Sequence, residues 1–419
     1  MIRPALALLC LCFSLAAESI LIRGASIHPV TSAEIAGASL LITDGVIADI
    51  GPKIQIPKGA KIVEAKGLHL YPGLINSATT MGLFEISSVR ETDDSAELGD
   101  FNPQLRAVVA INPESEHIPV SRANGLTSAI VLPMGGAIAG QAALVHLDGW
   151  TWEEMALSRA AALHLRFPVL EMTAGEPPNR VARIPFKEAK TRYDERLQRL
   201  NAFVEQSRRY QTAKKASGAG FRADLLYEAM LPVLDNHMPV LVTVERERDI
   251  RAALDFAARQ KIRIVLAGVR EPGQQINRIR DMKIPVILSS TLALPIEEDA
   301  PYDSAFTLPV ELFKAGIRFA FGTFTSYNAR NLPYQAAAAV AFGLPAEEAL
   351  KSVTINAAEI WGVAGKIGSI ERGKLADLIL TDGDPLETRT QIKQMFIRGL
   401  PVSLESKHTR LYEKYMNRP

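Results

Sequence analysis

The sequence predicts an α/β fold in two parts, a (β/α)8 TIM-like barrel and a small β-sandwich formed from the N- and C-terminal segments. Strand-like runs separated by turns occupy both ends of the chain, and strand-like and helix-like runs alternate between them. A chain of 419 residues, 47% of them hydrophobic, fits one barrel-sized domain with a smaller companion. The predicted limits are 18–70 with 365–404 for the sandwich, 71–364 for the barrel and 405–419 for a C-terminal tail.

The beginning of the chain predicts a secretory signal peptide over residues 1–17. This stretch has an arginine near its start, an apolar run from Ala5 onward and small residues up to Ala17, where we expect cleavage. The two cysteines of the chain, Cys10 and Cys12, lie inside this leader. We therefore expect a periplasmic or secreted protein whose mature chain has neither disulfides nor thiolate metal sites.

The charge balance and the hydropathy argue against two classes of partner. Lys and Arg number 47 and Asp and Glu number 46, which leaves a formal net charge of +1. A nearly neutral chain gives no electrostatic reason to expect binding to nucleic acid. After the leader, no stretch of the sequence approaches the apolar length that a transmembrane helix needs. We expect no nucleic-acid partner and no membrane span.

The predicted sandwich depends on short strands at both ends of the chain. The N-terminal segment predicts strands over 20–27, 39–43, 46–50 and 61–64. Asp44-Gly45 stands between two apolar runs, and this dipeptide is the strongest short-range signal for a hairpin. Residues 368–380 and 394–404 predict further strands, which we expect to complete the same sandwich with the barrel inserted in its middle.

The barrel is predicted from seven strand-like runs. They lie at 70–77, 127–132, 162–167, 239–244, 263–268, 285–289 and 318–322. A closed barrel of this type needs eight strands, and we expect the missing one near 220–225. The charged segment 187–216 predicts a long helix that buries Leu200 and Phe203 on one face.

Three motifs resemble those of one superfamily. Residues 71–80, Tyr-Pro-Gly-Leu-Ile-Asn-Ser-Ala-Thr-Thr, resemble the first barrel strand of the amidohydrolases, whose usual form is Pro-Gly-Leu-Ile-Asp-Ala-His-x-His. Residues 124–129 are similar to the family's Gly-Val-Thr-Thr, and 365–378 to its Gly-x-Ile-Gly-Ser-Leu and Gly-Lys-x-Ala-Asp-Leu series. The resemblance covers nearly the whole mature chain and is nearest to the imidazolonepropionase-like subgroup.

The resemblance implies an activity and a cofactor. Members of this superfamily hydrolyse non-peptide C–N bonds with a hydroxide held on zinc or another divalent metal at the C-terminal mouth of the barrel. The positions that correspond to the family's metal ligands hold Ala78, Thr80, Thr243, Gly268 and Phe324. None of these residues has an imidazole or a carboxylate. The resemblance therefore predicts that the usual metal site is lost and that no cofactor is bound.

The histidines lead to the same prediction without any alignment. The seven are His28, His69, His117, His146, His164, His237 and His408. None lies at the C-terminal end of a predicted parallel strand, and no His-x-His spacing exists. If a site persists at the barrel mouth, the candidate catalytic residues are Glu85, His117, Glu245 and Glu271. A cluster of carboxylates there could hold Mg²⁺ or Ca²⁺, and the competing interpretation is a set of solvated loop residues.

Two functional hypotheses remain open. The first is a pseudoenzyme that binds a small polar molecule among the hydroxyls of Thr80, Thr243 and Thr323, or that pairs with a second copy or with an intact amidohydrolase relative. The second is an active amidohydrolase with a relocated, carboxylate-based site. A threonine without a basic partner is not a nucleophile, so the hydroxyls alone do not predict catalysis. The metal content of the purified protein distinguishes the two hypotheses.

Overall fold

The computed structural model describes residues 19–174, 182–217, 220–296 and 299–418, so the predicted signal peptide lies outside the described residues. Its strands are β1 (Ser19–Ile27), β2 (Ile35–Thr43), β3 (Val46–Gly51), β4 (Lys61–Glu64), β5 (His69–Pro72), β6 (Leu74–Thr79), β7 (Leu126–Val131), β8 (Ile138–His146), β9 (Ala156–Arg166), β10 (Thr173–Ala174), β11 (Ala182–Arg183), β12 (Val240–Thr243), β13 (Ile264–Val269), β14 (Val286–Leu288), β15 (Phe319–Phe321), β16 (Leu378–Thr381), β17 (Ile392–Ile397) and β18 (Leu400–Val402).

The α-helices are α1 (His117–Arg122), α2 (Trp152–Met155), α3 (Phe186–Ala216), α4 (Leu225–Glu228), α5 (Leu231–Leu234), α6 (Glu247–Gln260), α7 (Gln275–Asp281), α8 (Ser304–Lys314), α9 (Leu332–Ala341), α10 (Ala346–Ser352), α11 (Ile355–Ile360) and α12 (Lys407–Met416). The predicted helix over 187–216 is α3, and it buries Leu200 and Phe203 as expected. Within the described ranges, no helix combines the length and the apolar character needed to cross a membrane.

The two ends of the chain form one mixed sheet. Its strand order is β18-β17-β16-β5-β1-β2-β3, with β4 paired to β1. Asp44 (φ 51°) and Gly45 (φ 80°) make the two-residue turn between β2 and β3 that the sequence predicts. The C-terminal strand β16 runs antiparallel to β5, with Leu380 opposite Leu70. These pairings confirm that a sandwich module is assembled from both ends of the chain.

The second sheet is a nearly closed barrel of eight strands. Their order is β6-β7-β8-β9-β12-β13-β14-β15, and neighbours are parallel except that β8 is antiparallel to β7 and β9. The backbone N–H groups of Thr323 and Phe324 donate to the carbonyl oxygen of Ala78 at 2.8 and 2.7 Å, which joins the end of the last strand to the first. The predicted barrel with an added sandwich is confirmed.

The position of the eighth strand is corrected by the structure. Residues 220–224 form a turn and a loop, Leu225 begins α4, and none of these residues lies in a strand. The eighth strand is β8, which follows β7 in the chain and pairs with it so that Ala129 lies opposite Val145. The prediction depended on strands that alternate with helices. β8 follows β7 without a helix between them and runs antiparallel to it, so this alternation does not reveal it. β8 is also buried along its whole length, so it lacks the period-two pattern of a half-exposed strand.

The chain passes from the sandwich to the barrel at Gly73. β5 belongs to the first sheet and β6 to the second, so the single run predicted over 70–77 is divided at Pro72-Gly73. The N–H of Gly73 donates to the carbonyl oxygen of Asp377 at 2.8 Å. A Cβ atom at position 73 would lie 2.1 Å from Oγ1 of Thr127 in β7. Only glycine fits between the two sheets at this point.

We expect Gly73→Ala to lower the free energy of unfolding by about 1–3 kcal/mol, because the added methyl group overpacks the junction. Urea unfolding measures this change. Gly51→Ala is the matched control, since a Cβ there meets no atom within 4 Å and the backbone is not left-handed. Equal stability losses in the two variants would contradict the assignment of Gly73 as a steric constraint.

Candidate functional site

The inward-facing side chains of the barrel form an apolar cluster that reaches the mouth, where the parallel strands end. Ala78 belongs to this cluster and is completely buried, and the partly exposed ring of Phe324 packs against it. A Cβ atom on Gly322 would lie 2.6 Å from Cβ of Ala78. Two of the positions that the family resemblance assigns to metal ligands are thus part of the hydrophobic packing.

Phe324 adopts a left-handed backbone with φ 56°. For an aromatic residue this conformation costs roughly 1–2 kcal/mol, and aspartate and asparagine tolerate it better. The N–H of Phe324 is held by the carbonyl oxygen of Ala78. The residue therefore keeps a backbone shape suited to aspartate, while its side chain contributes apolar packing at the mouth.

One polar contact at the mouth joins β9 to β12 through a buried histidine. Nδ1 of His164 lies 2.6 Å from the carbonyl oxygen of Pro133, and Nε2 lies 2.8 Å from Oγ1 of Thr243. Because a carbonyl oxygen only accepts, Nδ1 carries the proton and Nε2 accepts from the threonine hydroxyl. His164 is 1% exposed. Burial, with a smaller contribution from the nearby Arg166 cation, lowers the pKa of His164 to about 4, so the ring is neutral at pH 7.

The sequence analysis expected no histidine at the C-terminal end of a parallel strand and did not single out His164. His164 lies two residues before the end of β9. It shares the inward face of that strand with Ala162, a member of the interior cluster. The alternation of side chains along the strand is the signal that could have identified it.

His164 supplies the basic partner that the sequence did not provide for Thr243. The distance from Oγ1 to Nε2 is that of a nucleophile and its general base. An imidazole with a pKa near 4 is nevertheless a weak base, poorly matched to proton abstraction at neutral pH. The contact therefore fits a structural hydrogen-bond network better than an activated nucleophile.

A second polar network joins the first and last barrel strands. Nδ2 of Asn76 donates to Oγ1 of Thr323 at 2.8 Å, and Oδ1 of Asn76 accepts from the N–H groups of Thr323 and Ala78 at 3.2 and 3.3 Å. The hydroxyls of Thr323 and Thr79 both donate to the carbonyl oxygen of Thr325, at 3.0 and 2.9 Å. Thr243 and Thr323, expected to face a common ligand, thus hydrogen-bond to different protein groups.

The other two predicted ligand positions are close to these networks. Gly268 has φ 73°, and a Cβ atom there would lie 3.5 Å from the methyl group of Thr243. Thr80 is 8% exposed and lies just beyond the end of β6. The structure thus brings Gly268 and Thr243 together, as the resemblance implies for positions on neighbouring strands.

The four candidate catalytic residues form two pairs. Nε2 of His117 lies 3.2 Å from the carbonyl oxygen of Glu85 and 4.0 Å from Oε2 of the same residue. Oε1 of Glu85 is buried and has no hydrogen-bond partner among the described residues. The N–H of Glu271 donates to the carbonyl oxygen of Glu245 at 2.9 Å. Oε1 of Glu271 accepts from the N–H of Ile296. Glu245 is exposed.

The residues at the mouth do not fit the metal that the family implies. Across residues 19–174, 182–217, 220–296 and 299–418, no three His, Cys, Asp or Glu side chains are grouped so that they could hold a metal ion. The histidine nearest to the predicted ligand positions, His164, has both ring nitrogens in hydrogen bonds to the protein. The side chains of Ala78 and Phe324 have no atom that could ligate a metal. No catalytic step through such a metal can be derived from these residues.

A pocket of ≈ 480 Å³ opens at the ends of β9 and β12. Small-molecule sites are typically about 300–1,000 Å³ in volume. Thr243 lines it together with charged residues of both signs, and the lining includes Arg166, Glu171, Glu245, Arg248 and Asp249. The arrangement suits a small polar ligand.

The chain has a barrel, an added sandwich and three motifs that resemble those of one superfamily, and comparison with known proteins shows what it is similar to. Residues 306–402 match the model of the Amidohydrolase family. The chain is 26% identical over 409 residues to Amidohydrolase tasK of Hapsidospora irregularis, covering 88% of this chain but 41% of that longer protein. It is 24% identical over 425 residues to the Imidazolonepropionase of Flavobacterium johnsoniae, covering 90% of this chain and 94% of that protein.

A solved structure agrees with these sequence matches. An amidohydrolase from Thermotoga maritima MSB8 is similar with a TM-score of 0.81 and 26% identity, covering 92% of this chain and 99% of that chain. Residues 306–402 thus carry an Amidohydrolase-family segment, and the chain as a whole is similar to amidohydrolases and to an imidazolonepropionase.

Proposed function

We propose that this chain is an exported amidohydrolase-family protein that no longer carries out metal-dependent hydrolysis and instead binds a small polar ligand at the barrel mouth. The single observation that carries the proposal is the hydrogen bonding of His164, the histidine nearest to the predicted ligand positions. Its two ring nitrogens are already bonded to Pro133 and Thr243, so neither is available to a metal. The leader-like sequence of residues 1–17 supports export.

Two further features support the loss of metal chemistry. The side chains of Asn76 and Thr323 hydrogen-bond to each other at 2.8 Å, so these two groups need no ion as a partner. Phe324 places an apolar ring against the interior cluster, where a ligating carboxylate would require water or a cation. A role as partner subunit, with a second copy or with an intact relative, is compatible with the same loss.

The alternative is a relocated site on Glu85 and His117, and it has one observation in its favour. The buried Oε1 of Glu85 has no partner among the described residues, and the carboxylate stands 4.0 Å from an imidazole nitrogen. A carboxylate beside an imidazole can serve as an acid–base pair or as part of a metal site. Glu85→Gln keeps the size of the side chain and removes its charge, so it tests this alternative.

We expect the purified mature protein to hold well under one divalent metal per chain after dialysis against metal-free buffer. Elemental analysis measures the content, and thermal melts with added Zn²⁺, Mn²⁺ or Ca²⁺ should show no shift in Tm, since an ion that does not bind the native state cannot stabilise it. About one metal per chain would overturn the proposal. Its loss in Glu85→Gln would then establish the relocated site.

The matched control restores the family's side chains in the same chain. Ala78→His, Thr80→His, Thr243→His and Phe324→Asp together reintroduce four of the ligands implied by the resemblance. Metal uptake by this variant and none by the parent would show that the ligands alone were missing. Far-UV circular dichroism and a cooperative melt establish that the variant is folded before its metal content is compared.

A further inference from the structure

A second cavity lies at the end of the barrel opposite the mouth. Its volume is ≈ 800 Å³, larger than that of the mouth pocket. We call it the basal cavity and define it by Pro239, Arg263, Pro285 and Arg318, which immediately precede β12, β13, β14 and β15. Because these strands are parallel, the cavity lies at their N-terminal ends and is separate from the candidate site.

The floor of the basal cavity is apolar. It is lined by the buried side chains of Ile264, Val265, Ile279, Ile284 and Ile317. Val265 also belongs to the cluster that fills the barrel interior, so the floor is continuous with the core. An apolar surface of this kind favours a ligand with a hydrocarbon or aromatic body.

The rim of the basal cavity is cationic. Five exposed basic side chains line it: Lys261, Arg263, Arg280, Lys283 and Arg318. The carboxylate among its lining residues is Glu359, which pairs with Arg318 at 2.9 Å. Arg280 pairs with Asp281 of the same helix, α7, also at 2.9 Å. Lys261 and Lys283 form no ion pair with any described residue, so the rim carries excess positive charge.

The cationic rim comes from a repeated loop pattern in the sequence. Three successive helix-to-strand connections read Lys261-Ile-Arg, Lys283-Ile-Pro and Gly316-Ile-Arg. The first residue of each is left-handed, with φ of 48°, 54° and 71°. Glycine is the residue that adopts this conformation without strain. Two of the three connections nevertheless carry lysine.

The left-handed backbone favours glycine at positions 261 and 283, so it does not explain why lysine occurs there. A left-handed residue with a Cβ costs roughly 1–2 kcal/mol compared with glycine. The negative end of the helix dipole favours a cation there by about 0.3–1 kcal/mol, which offsets only part of this cost. Non-glycine residues in strained conformations are concentrated at functional sites. The two lysines therefore indicate a role at the rim.

We propose that the basal cavity binds an amphipathic organic anion, with its apolar body on the isoleucine floor and its anionic head at the lysine rim. The cavity volume falls within the range of about 300–1,000 Å³ that small-molecule sites occupy. The exposed lysines attract an anion by forces that salt screens, so binding weakens as ionic strength rises.

The test uses two fluorescent probes that differ in charge. 8-Anilinonaphthalene-1-sulfonate carries an anionic group on an aromatic body, and N-phenyl-1-naphthylamine is its neutral counterpart. We expect the sulfonate to bind the full-length mature protein with about one site per chain, and its Kd to rise about tenfold in Lys261→Asn/Lys283→Asn. Asparagine removes both charges while tolerating the left-handed backbone. The neutral probe should bind both proteins with equal affinity.

The control variant is Lys53→Asn/Lys58→Asn, which removes two exposed lysines from the sandwich. It should bind the sulfonate like the parent protein. Absence of saturable binding, a Kd in Lys261→Asn/Lys283→Asn within twofold of the parent, or equal losses for the charged and neutral probes would overturn the proposal. The result is independent of the metal content, so it can fail while the proposed function stands.

Discussion

His146→Leu is expected to lower the free energy of unfolding by about 3–5 kcal/mol, because it removes the side-chain partner of a buried carboxylate. Nε2 of His146 lies 2.9 Å from Oδ2 of Asp377, and both side chains are 3% exposed. Oδ1 of Asp377 accepts from the N–H of Arg398 at 2.8 Å. His146 ends β8 of the barrel and Asp377 precedes β16 of the sandwich, so the contact joins the two modules.

Urea unfolding of single and double variants measures this effect. Replacing both His146 and Asp377 with leucine removes the unpaired charge, so the double variant should be more stable than His146→Leu. Asp255→Ala breaks an exposed pair with Arg278 and should cost no more than about 1 kcal/mol. A double variant as unstable as the single one would show that packing, and not the carboxylate, carries the contribution.

Acidification is expected to destabilise the protein through His164 by about 3 kcal/mol between pH 6.5 and 4. The pKa of this histidine is about 4 in the folded protein, against the ordinary value of 6.5 in the unfolded chain. Between these values the unfolded state binds the additional proton, so stability falls as the pH falls. The difference between the two pKa values, at about 1.4 kcal/mol per unit, gives the magnitude.

His164→Gln is the matched variant, because an amide can donate to the carbonyl of Pro133 and accept from Thr243 without titrating in this range. The free energy of unfolding is measured from pH 7.5 to 4 for both proteins, since burial also lowers the pKa of His28 and adds a common background. The slope attributable to His164 is the difference between the two curves. Parallel curves would contradict the assignment.

Local sequence patterns determined the elements of this protein. The Asp44-Gly45 turn, the buried face of α3 and six of the seven predicted barrel strands each follow from neighbouring residues and are present in the structure. The seventh predicted strand, 70–77, is divided between β5 and β6. The five positions that the family resemblance assigns to metal ligands hold no imidazole or carboxylate, and this too is visible in the sequence. These features depend on the order of residue types along the chain and on few long-range contacts.

The tertiary structure alone decided which polar groups meet. His164 and Thr243 are 79 residues apart, and His146 and Asp377 are 231 apart. No local pattern predicts either pair, because each forms only when distant strands close the barrel or dock it on the sandwich. The antiparallel direction of β8 is likewise a tertiary effect. Its buried run is compatible with a parallel or an antiparallel strand, and pairing with β7 and β9 decides between them. Closure of the sheet thus placed a buried imidazole where sequence reasoning expected only a threonine.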